Sequence, residues 1–170
     1  LVRQSVSMSH GVNACFLCLH GDGLLVANYM ADQLVFLQPN VTGQWTVQRM
    51  DRYVGSGSHA IRQQKPHPHH CLYLEVSEQI AVCDLGSDRV WLHAATPSSV
   101  ESTIQGAIVL PPGTGPRHAL SIGKHLYVLG ELSGCLHQYT WTGESWKLVH
   151  STAPVSEDPW CAALHQRRGS

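Results

Sequence analysis

The stretch Ile80–His93, IAVCDLGSDRVWLH, decides the fold because two other parts of the chain repeat its pattern. Leu24–Leu37 reads LLVANYMADQLVFL, and Leu126–Tyr139 reads LYVLGELSGCLHQY. Each copy has an apolar run, a polar or glycine-containing corner and a second apolar run. The copies recur at intervals of about 50 residues, which is typical of β-propeller blades. Because one such unit cannot bury both faces of its sheet, the repeat predicts sheets stacked around a common axis.

Flanking apolar segments extend each copy to four strands, the number in a propeller blade. We expect an additional strand before each copy, at Ala14–Leu19, Cys71–Val76 and His118–Ile122. We expect another strand after each copy, at Gln44–Met50, Gly106–Leu110 and Ser145–His150. Corners rich in glycine and proline separate these segments. The predicted fold class is therefore all-β, with blades of four antiparallel strands.

The number of predicted blades indicates an incomplete propeller. The blades fall at about residues 14–50, 71–110 and 118–150, and Trp160–His165 is predicted to start a fourth blade within residues 160–170. Closed propellers have about 4–8 blades. We therefore expect residues 1–170 to form one partial propeller domain. Its exposed faces predict self-association or contact with a complementary propeller half.

Composition argues against two classes of partner. The net charge is −1, and only 14% of the residues are charged, so the chain lacks the basic surface that binds nucleic acid or anionic membranes. No apolar run approaches the ~20 residues that a membrane-spanning helix needs. We expect neither nucleic acid nor membrane as a partner.

The six cysteines lie within apolar strand patterns and show no paired spacing. They are Cys15, Cys18, Cys71, Cys83, Cys135 and Cys161. We interpret them as small buried hydrophobic residues of a reduced, cytoplasmic protein. Cys15 and Cys18 form a C-x-x-C pair, for which a redox or zinc role is the alternative. On a regular strand their odd separation sends the two side chains to opposite faces, which argues against that role.

Candidate functional residues emerge when the blades are aligned on Asn28, Asp84 and Gly130. The positions that enter the innermost strands are then Asn13, His69 and Arg117, and the positions one beyond the alignment residues are Tyr29, Leu85 and Glu131. Equivalent positions with a structural role favour one residue type. The differences therefore indicate a functional channel containing His69, Arg117 and Glu131.

The loop that enters the second blade is the richest in polar groups, from Arg62 to His70. His67 and His69 would share a face if extended and could bind zinc, but no third ligand is indicated. The alternatives are a solvated histidine-rich loop and metal-free acid–base chemistry, in which His69 takes a proton from water. Arg117 would stabilise an oxyanion, and Glu131 would orient Arg117 or act as the base. A purely structural Arg117–Glu131 ion pair is the competing interpretation.

Several motifs together resemble the seven-bladed propeller lactonase family, which includes propeller-type 6-phosphogluconolactonases and carboxy-cis,cis-muconate cyclases. PHPHHCLYLEVSEQIAVCDLGSDRV at Pro66–Val90 is similar to the family's "PHxHsv…vaDLGtDrv". GTGPRHAL…LYVLGEL at Gly113–Leu132 resembles "GxGPRHl…yVvNEL", with Gly130 in place of the asparagine. GSGSHAIRQQ at Gly55–Gln64 is similar to the family's run before the histidines. Matches of this kind extend over essentially the whole chain.

The resemblance implies a seven-bladed parent about twice this length, of which this chain holds about three and a half blades, with an active site at the channel mouth and no cofactor or metal. It implies a small-molecule lactone substrate, with 6-phosphogluconolactone hydrolysed to 6-phosphogluconate in the pentose phosphate pathway. It places the catalytic roles on His69, Arg117 and Glu131. Arg62 and Lys65 are candidates to hold a substrate phosphate, and His67 and His118 are further substrate-binding candidates.

Two alternatives remain open at this stage. A muconate-type cycloisomerase would use the same residues for proton transfer to a carboxylated diene. A non-catalytic propeller fragment that serves as an interaction scaffold is the second, favoured by departures such as Gly130 and the lost hairpin turn at Val76-Ser77-Glu78. A propeller fold by itself does not distinguish the lactonase, the cycloisomerase and the interaction scaffold.

Overall fold

The computed structural model describes residues 11–95 and 103–152, which contain twelve β-strands in three four-stranded sheets. Blade 1 contains β1 (Ala14–His20), β2 (Gly23–Asn28), β3 (Gln33–Pro39) and β4 (Trp45–Arg52). Blade 2 contains β5 (Pro68–Leu74), β6 (Gln79–Asp84), β7 (Arg89–Ala94) and β8 (Ile104–Val109). Blade 3 contains β9 (Pro116–Ile122), β10 (His125–Gly130), β11 (Leu136–Trp141) and β12 (Trp146–Ser151). A 3-10 turn, Tyr29–Ala31, joins β2 to β3.

Every sheet is an antiparallel meander in which the strands pair in chain order. This arrangement confirms the all-β prediction and the four-strand repeat. Gly21 and Gly123 adopt φ +56° in the short corners after β1 and β9, where the left-handed conformation favours glycine. In blade 2 the corresponding corner is longer, and Glu78 has the positive φ instead.

Neighbouring blades bury their apolar faces against each other. Leu25, Phe36 and Cys71 belong to a buried cluster formed by blades 1 and 2. Leu74, Leu126 and further residues form a second cluster between blades 2 and 3, including Trp146. The innermost strands β1, β5 and β9 are in contact in that order. Stacking of successive sheets is therefore what orders the residues on these three strands.

The starts of two innermost strands differ from the sequence prediction. β5 begins at Pro68 and β9 at Pro116, whereas the pattern predicted starts at Cys71 and His118. Proline is tolerated as the first residue of a strand because a ladder hydrogen bond is not lost there. As a result, His69 belongs to β5 and not to the preceding loop. The prediction for Trp160–His165 lies outside the described residues.

The interpretation of the cysteines needs two corrections. Cys71 and Cys83 are fully buried, but Cys15 is exposed, and Cys18 and Cys135 are only partly buried. Cys15 also occupies a bulge in β1, between Ala14 and Phe16, which interrupts the regular alternation of side chains. Cys15 Sγ consequently approaches the carbonyl oxygen of His69 at 3.4 Å, and Cys18 also faces blade 2. The prediction that Cys15 and Cys18 point to opposite faces was wrong.

The two outer faces of the stack expose large apolar side chains. Blade 1 exposes Leu17 and Leu19, which are 60% and 75% accessible. On blade 3 a groove of about 380 Å³ is lined by Leu120, Ile122, Leu129 and their neighbours.

Within the described ranges, the structure has no helix that is both long and apolar enough to cross a bilayer.

Candidate functional site

Three chain segments converge at one end of the innermost strands. They are the 3-10 turn after β2, the loop of residues 53–67 that leads into β5, here called the rim loop, and the corner after β10. Glu131 in that corner contacts Arg62 of the rim loop. Arg117 is near the start of β9 and contacts the same carboxylate. The segments thus bring together charges that are distant in sequence.

Glu131 bridges two arginines. Its Oε1 accepts a hydrogen bond from Arg62 Nη2 at 2.8 Å, and its Oε2 accepts one from Arg117 Nη1. The Glu131 side chain is 22% exposed, against 40% for Arg62 and 42% for Arg117. Arg62 Nη2 also donates to the hydroxyl of Tyr29 at 3.3 Å. Each guanidinium therefore keeps exposed N–H groups with which to bind an anion.

The arginines keep Glu131 ionised. Burial raises the pKa of this carboxyl group, but the hydrogen bonds and charges of Arg62 and Arg117 outweigh burial and lower its pKa below the usual value. A carboxylate stabilised in this way is a weak base. Its position between Arg117 and Arg62 instead suits the orienting role considered above.

A row of aromatic rings lies beside this ion cluster. The rings of Tyr29 and His67 stack with centroids 4.4 Å apart, and His69 meets the Tyr29 ring edge-on at 5.6 Å. His118 meets His69 edge-on at 5.3 Å and His70 at 5.2 Å. The row therefore joins the predicted residues His67, His69 and His118 to the turn of blade 1.

Three histidines of the row, His69, His70 and His118, have lowered pKa values. Burial lowers the pKa of His69, and the nearby positive charge of Arg117 lowers it further. The same two causes lower the pKa of His118. Burial lowers the pKa of His70 to about 4, with the neighbouring His118 as a further cause. At neutral pH these rings are uncharged, so His69 can accept a proton.

Lys65 is directed towards blade 1. Its Nζ lies 2.9 Å from Asp32 Oδ1 and donates to the carbonyl oxygen of Met30 at 2.7 Å. It still lines the same hollow of about 260 Å³ as Arg62, Tyr29 and His67. The two predicted phosphate-binding cations therefore share one hollow, although Arg62 pairs with Glu131 and Lys65 pairs with Asp32.

Asp84 positions the entry to β5 and was not selected from the sequence. Its Oδ1 accepts hydrogen bonds from the backbone N–H groups of His67 at 2.6 Å and Gly86 at 3.0 Å. Trp91 Nε1 donates to its Oδ2 at 3.0 Å, and the Ser87 hydroxyl donates there as well. A Cβ on Gly86 would lie 1.9 Å from the carbonyl oxygen of Lys65, so glycine is required for this close approach.

Asp88 joins three loops and was also missed. Gln63 Nε2 of the rim loop donates to its Oδ1 at 2.7 Å, as does the backbone N–H of Gly115 at 2.7 Å. The N–H of Gly113 donates to its Oδ2 at 2.8 Å. Asp88 thereby fixes the rim loop and the segment that leads into Arg117. The sequence feature that could have identified Asp88 is its position in DLGSDR, in the polar corner of the second repeat copy.

The departure at Gly130 has a local reason. A Cβ there would lie 2.6 Å from Ser133 Oγ and 2.7 Å from the carbonyl oxygen of Thr114. The equivalent positions in blades 1 and 2 hold the larger residues Asn28 and Asp84, for which blade 3 has no space.

Among the described residues, no group of three or more His, Cys, Asp or Glu side chains is arranged to hold a metal ion.

Curated proteins of related sequence cover part of the chain. A "Probable 6-phosphogluconolactonase" of Arthroderma benhamiae is 33% identical over 89 residues, which is 49% of this chain and 22% of that protein. A 6-phosphogluconolactonase of Bacillus subtilis is 27% identical over 110 residues, which is 62% of this chain and 31% of that protein. The matches therefore span less than a third of these relatives' own lengths.

Solved structures and a family model agree with the blades. A crystal structure from Bacteroides fragilis superposes with a TM-score of 0.77 at 24% identity, covering 85% of this chain and 44% of that one. A periplasmic gluconolactonase of Pseudomonas aeruginosa superposes with a TM-score of 0.70 at 24% identity, covering 81% and 41%. These likenesses establish the fold. Residues 2–168 match the family model described as "Lactonase, 7-bladed beta-propeller", and the chain belongs to this lactonase family of seven-bladed β-propellers.

Proposed function

We propose that this chain carries the catalytic groups of a lactonase that hydrolyses a sugar-acid lactone, with 6-phosphogluconolactone as substrate and 6-phosphogluconate as product, as in the pentose phosphate pathway. The observation that carries the proposal is the bridge from Glu131 to Arg62 and Arg117 beside the neutral histidine His69. The names of the two curated relatives support this substrate.

His69 is the proposed general base. Its lowered pKa leaves the ring neutral at physiological pH, so it can take a proton from the water that attacks the lactone carbonyl. When the tetrahedral intermediate collapses, the bond between the carbonyl carbon and the ring oxygen breaks. The protonated His69 then returns its proton to that oxygen, which becomes the hydroxyl group of the product. The atoms of one water are added, and the histidine returns to its neutral state.

Arg117 is the proposed oxyanion-stabilising group. One of its guanidinium N–H groups donates to Glu131 Oε2, and the side chain is 42% exposed. A guanidinium can stabilise the negative charge that develops on the carbonyl oxygen. Glu131 acts as a positioning residue that fixes the orientation of Arg117 and Arg62. Because its pKa is lowered, Glu131 orients the arginines and does not act as the base.

Arg62 and Lys65 form the proposed phosphate-binding hollow with Tyr29 and His67. Both cations line this volume of about 260 Å³, and both side chains are about 40% exposed. A phosphate has several acceptor oxygens that can bind a guanidinium and an ammonium at once. His69 and His118 of the aromatic row would contact the sugar part of the substrate.

The proposed working unit contains more blades than the structure describes. Leu17 and Leu19 on blade 1, with Leu120 and Leu129 on blade 3, are exposed on the two outer faces of the stack. Internal blades bury such faces, and the family model has seven blades. Complementary blades, from further chain or from a second copy, therefore cover these faces in our proposal. Light scattering of the purified chain gives its oligomeric state.

The proposed location is the cytoplasm. The described cysteines are free thiols, and Cys71 and Cys83 lie inside apolar clusters, which suits a reducing compartment. One structural neighbour is named as periplasmic. Fractionation of cells that express the natural protein tests this point.

Hydrolysis of 6-phosphogluconolactone above its spontaneous rate tests the function. Arg117→Ala removes the proposed oxyanion contact and is expected to reduce kcat about 100- to 1000-fold. Arg52→Ala is the matched control, because Arg52 is an exposed arginine on β4 that is not part of the site. Circular dichroism melting of both variants separates loss of chemistry from loss of folding.

The outcomes separate the alternatives. Equal turnover in the Arg117→Ala variant contradicts the proposed mechanism. Turnover of a carboxylated muconate and none of the lactone favours the cycloisomerase. Absence of turnover with both substrates in a folded chain that has its complementary blades favours the interaction scaffold.

A further inference from the structure

Two cysteines of different blades lie in direct contact. Cys18 on β1 and Cys71 on β5 are 53 residues apart in sequence, and their Sγ atoms are 3.5 Å apart. Both are free thiols. Each belongs to or packs against the buried cluster between blades 1 and 2. The contact therefore joins the innermost strands of neighbouring blades.

The two thiols differ in exposure and acidity. Cys71 is 0% exposed, whereas Cys18 is only partly buried. The hydrogen bond between the two thiols lowers the pKa of Cys18. That bond and burial raise the pKa of Cys71 well above its usual value. Cys18 is thus the thiol that is both reachable and more readily ionised, and thiolates are the forms that react with oxidants.

The nearby cysteines Cys15 and Cys83 are less suited than Cys18 and Cys71 to react with an oxidant. Cys15 lies in the bulge of β1, and its Sγ donates to the carbonyl oxygens of Pro68 and His69 at 3.5 and 3.4 Å. Burial raises its pKa. Cys83 is fully buried in the other cluster, between blades 2 and 3. The contact geometry therefore singles out Cys18 and Cys71.

We propose that Cys18 and Cys71 form a redox-sensitive thiol pair, in which a peroxide oxidises Cys18 and Cys71 then closes a disulfide between blades 1 and 2. The Cys18 thiolate attacks one peroxide oxygen and breaks the O–O bond, which gives a sulfenic acid and water or an alcohol. Cys71 attacks the sulfenic sulfur, an S–S bond forms, the S–O bond breaks, and the sulfenic oxygen leaves as water with the Cys71 proton. A small thiol reductant reverses the change by thiol–disulfide exchange.

The disulfide would tie β1 to β5 beside the functional site. Cys71 directly follows His70, whose ring lies 4.0 Å from that of Phe16. A cross-link between positions 53 residues apart restricts the unfolded chain and so stabilises the fold. Oxidation is therefore expected to raise the melting temperature, and reduction is expected to restore the original value.

Hydrogen peroxide is the probe. The purified chain is treated with it, the remaining thiols are alkylated, and the tryptic peptides are analysed without reduction. The expected product links the peptide that contains Cys18 to the peptide that contains Cys71, with the loss of two hydrogen atoms in total mass. Since Cys15 shares a tryptic peptide with Cys18, and Cys83 shares one with Cys71, fragmentation of the linked peptides assigns the bond.

Variants provide the controls. Cys18→Ser is a mild change at a partly exposed site and is expected to abolish both the linked peptide and the rise in melting temperature. Cys15→Ser and Cys135→Ser are expected to retain both. A linked product through Cys15, a bond between two molecules, or Cys18 sulfinic acid with Cys71 still reduced would each overturn the proposal.

Discussion

Arg62 Nη2 and Glu131 Oε1 form a 2.8 Å ion pair between residues 69 positions apart in the chain. This pair joins the rim loop, before blade 2, to the corner after β10 in blade 3. Through Glu131 it also reaches Arg117. The position of Arg62 relative to Arg117 therefore depends on the stacking of blades 2 and 3.

Arg62→Ala is expected to weaken substrate binding more than Lys65→Ala does. The guanidinium of Arg62 lies next to Glu131 and Tyr29 and keeps exposed N–H groups that can bind a phosphate. The ammonium of Lys65 is already paired with Asp32. Loss of one charged hydrogen-bonding partner reduces kcat/KM by about 10- to 100-fold, mainly through KM. Steady-state kinetics with the phosphorylated lactone measure this. Lys147→Ala, on β12, is the control, and equal effects at Arg62 and Lys65 would contradict the assignment.

The pH profile tests the role of His69. Because burial and Arg117 lower its pKa below the usual 6.5, kcat/KM should be flat near neutral pH and fall as the ring becomes protonated below pH 6.5. The charge of Glu131 raises the pKa of His69. Glu131→Gln removes that charge and should move the acid limb to lower pH. A shift to higher pH would count against His69 as the base.

His70 should make the fold less stable in acid. The pKa of its ring is about 4 in the folded chain, against 6.5 for the free side chain. Between these values the unfolded state binds a proton that the folded state excludes, so stability is lost as pH falls from 6.5 to about 4. Urea unfolding at a series of pH values measures the slope. His70→Gln should reduce that slope by up to one proton, and an unchanged slope would refute the assignment.

Asp88→Asn is expected to lower the free energy of unfolding by about 2 kcal/mol, because a buried acceptor of hydrogen bonds loses its charge. Asparagine tolerates the positive φ of 54° at this position, so backbone strain is not the cause. The rim loop and the segment 113–115 lose a shared anchor, and activity should fall as well. Urea unfolding measures the change. The exposed Asp22→Asn serves as control and should alter stability by less than about 0.5 kcal/mol.

Much of the fold could be predicted because the period of the repeat is a local property of the chain. Three apolar–corner–apolar copies predicted the three sheets, and the differences among equivalent blade positions selected His69, Arg117 and Glu131. The sequence prediction was wrong where a single residue changed the start of a strand or interrupted its regular alternation of side chains. Pro68 and Pro116 start β5 and β9 earlier than the apolar pattern indicates, and the bulge at Cys15 changes which face its side chain takes.

By itself, the sequence determined the all-β class, the four-strand repeat and the membership of the lactonase propeller family. Only the tertiary structure decided which charges meet. Periodicity sets the face on which a side chain lies, because alternation along a strand is local. The bridge from Arg62 through Glu131 to Arg117 and the contact of Cys18 with Cys71 depend on how far neighbouring sheets are rotated and displaced. That packing is determined by the buried side chains of two blades together, and no single segment encodes it.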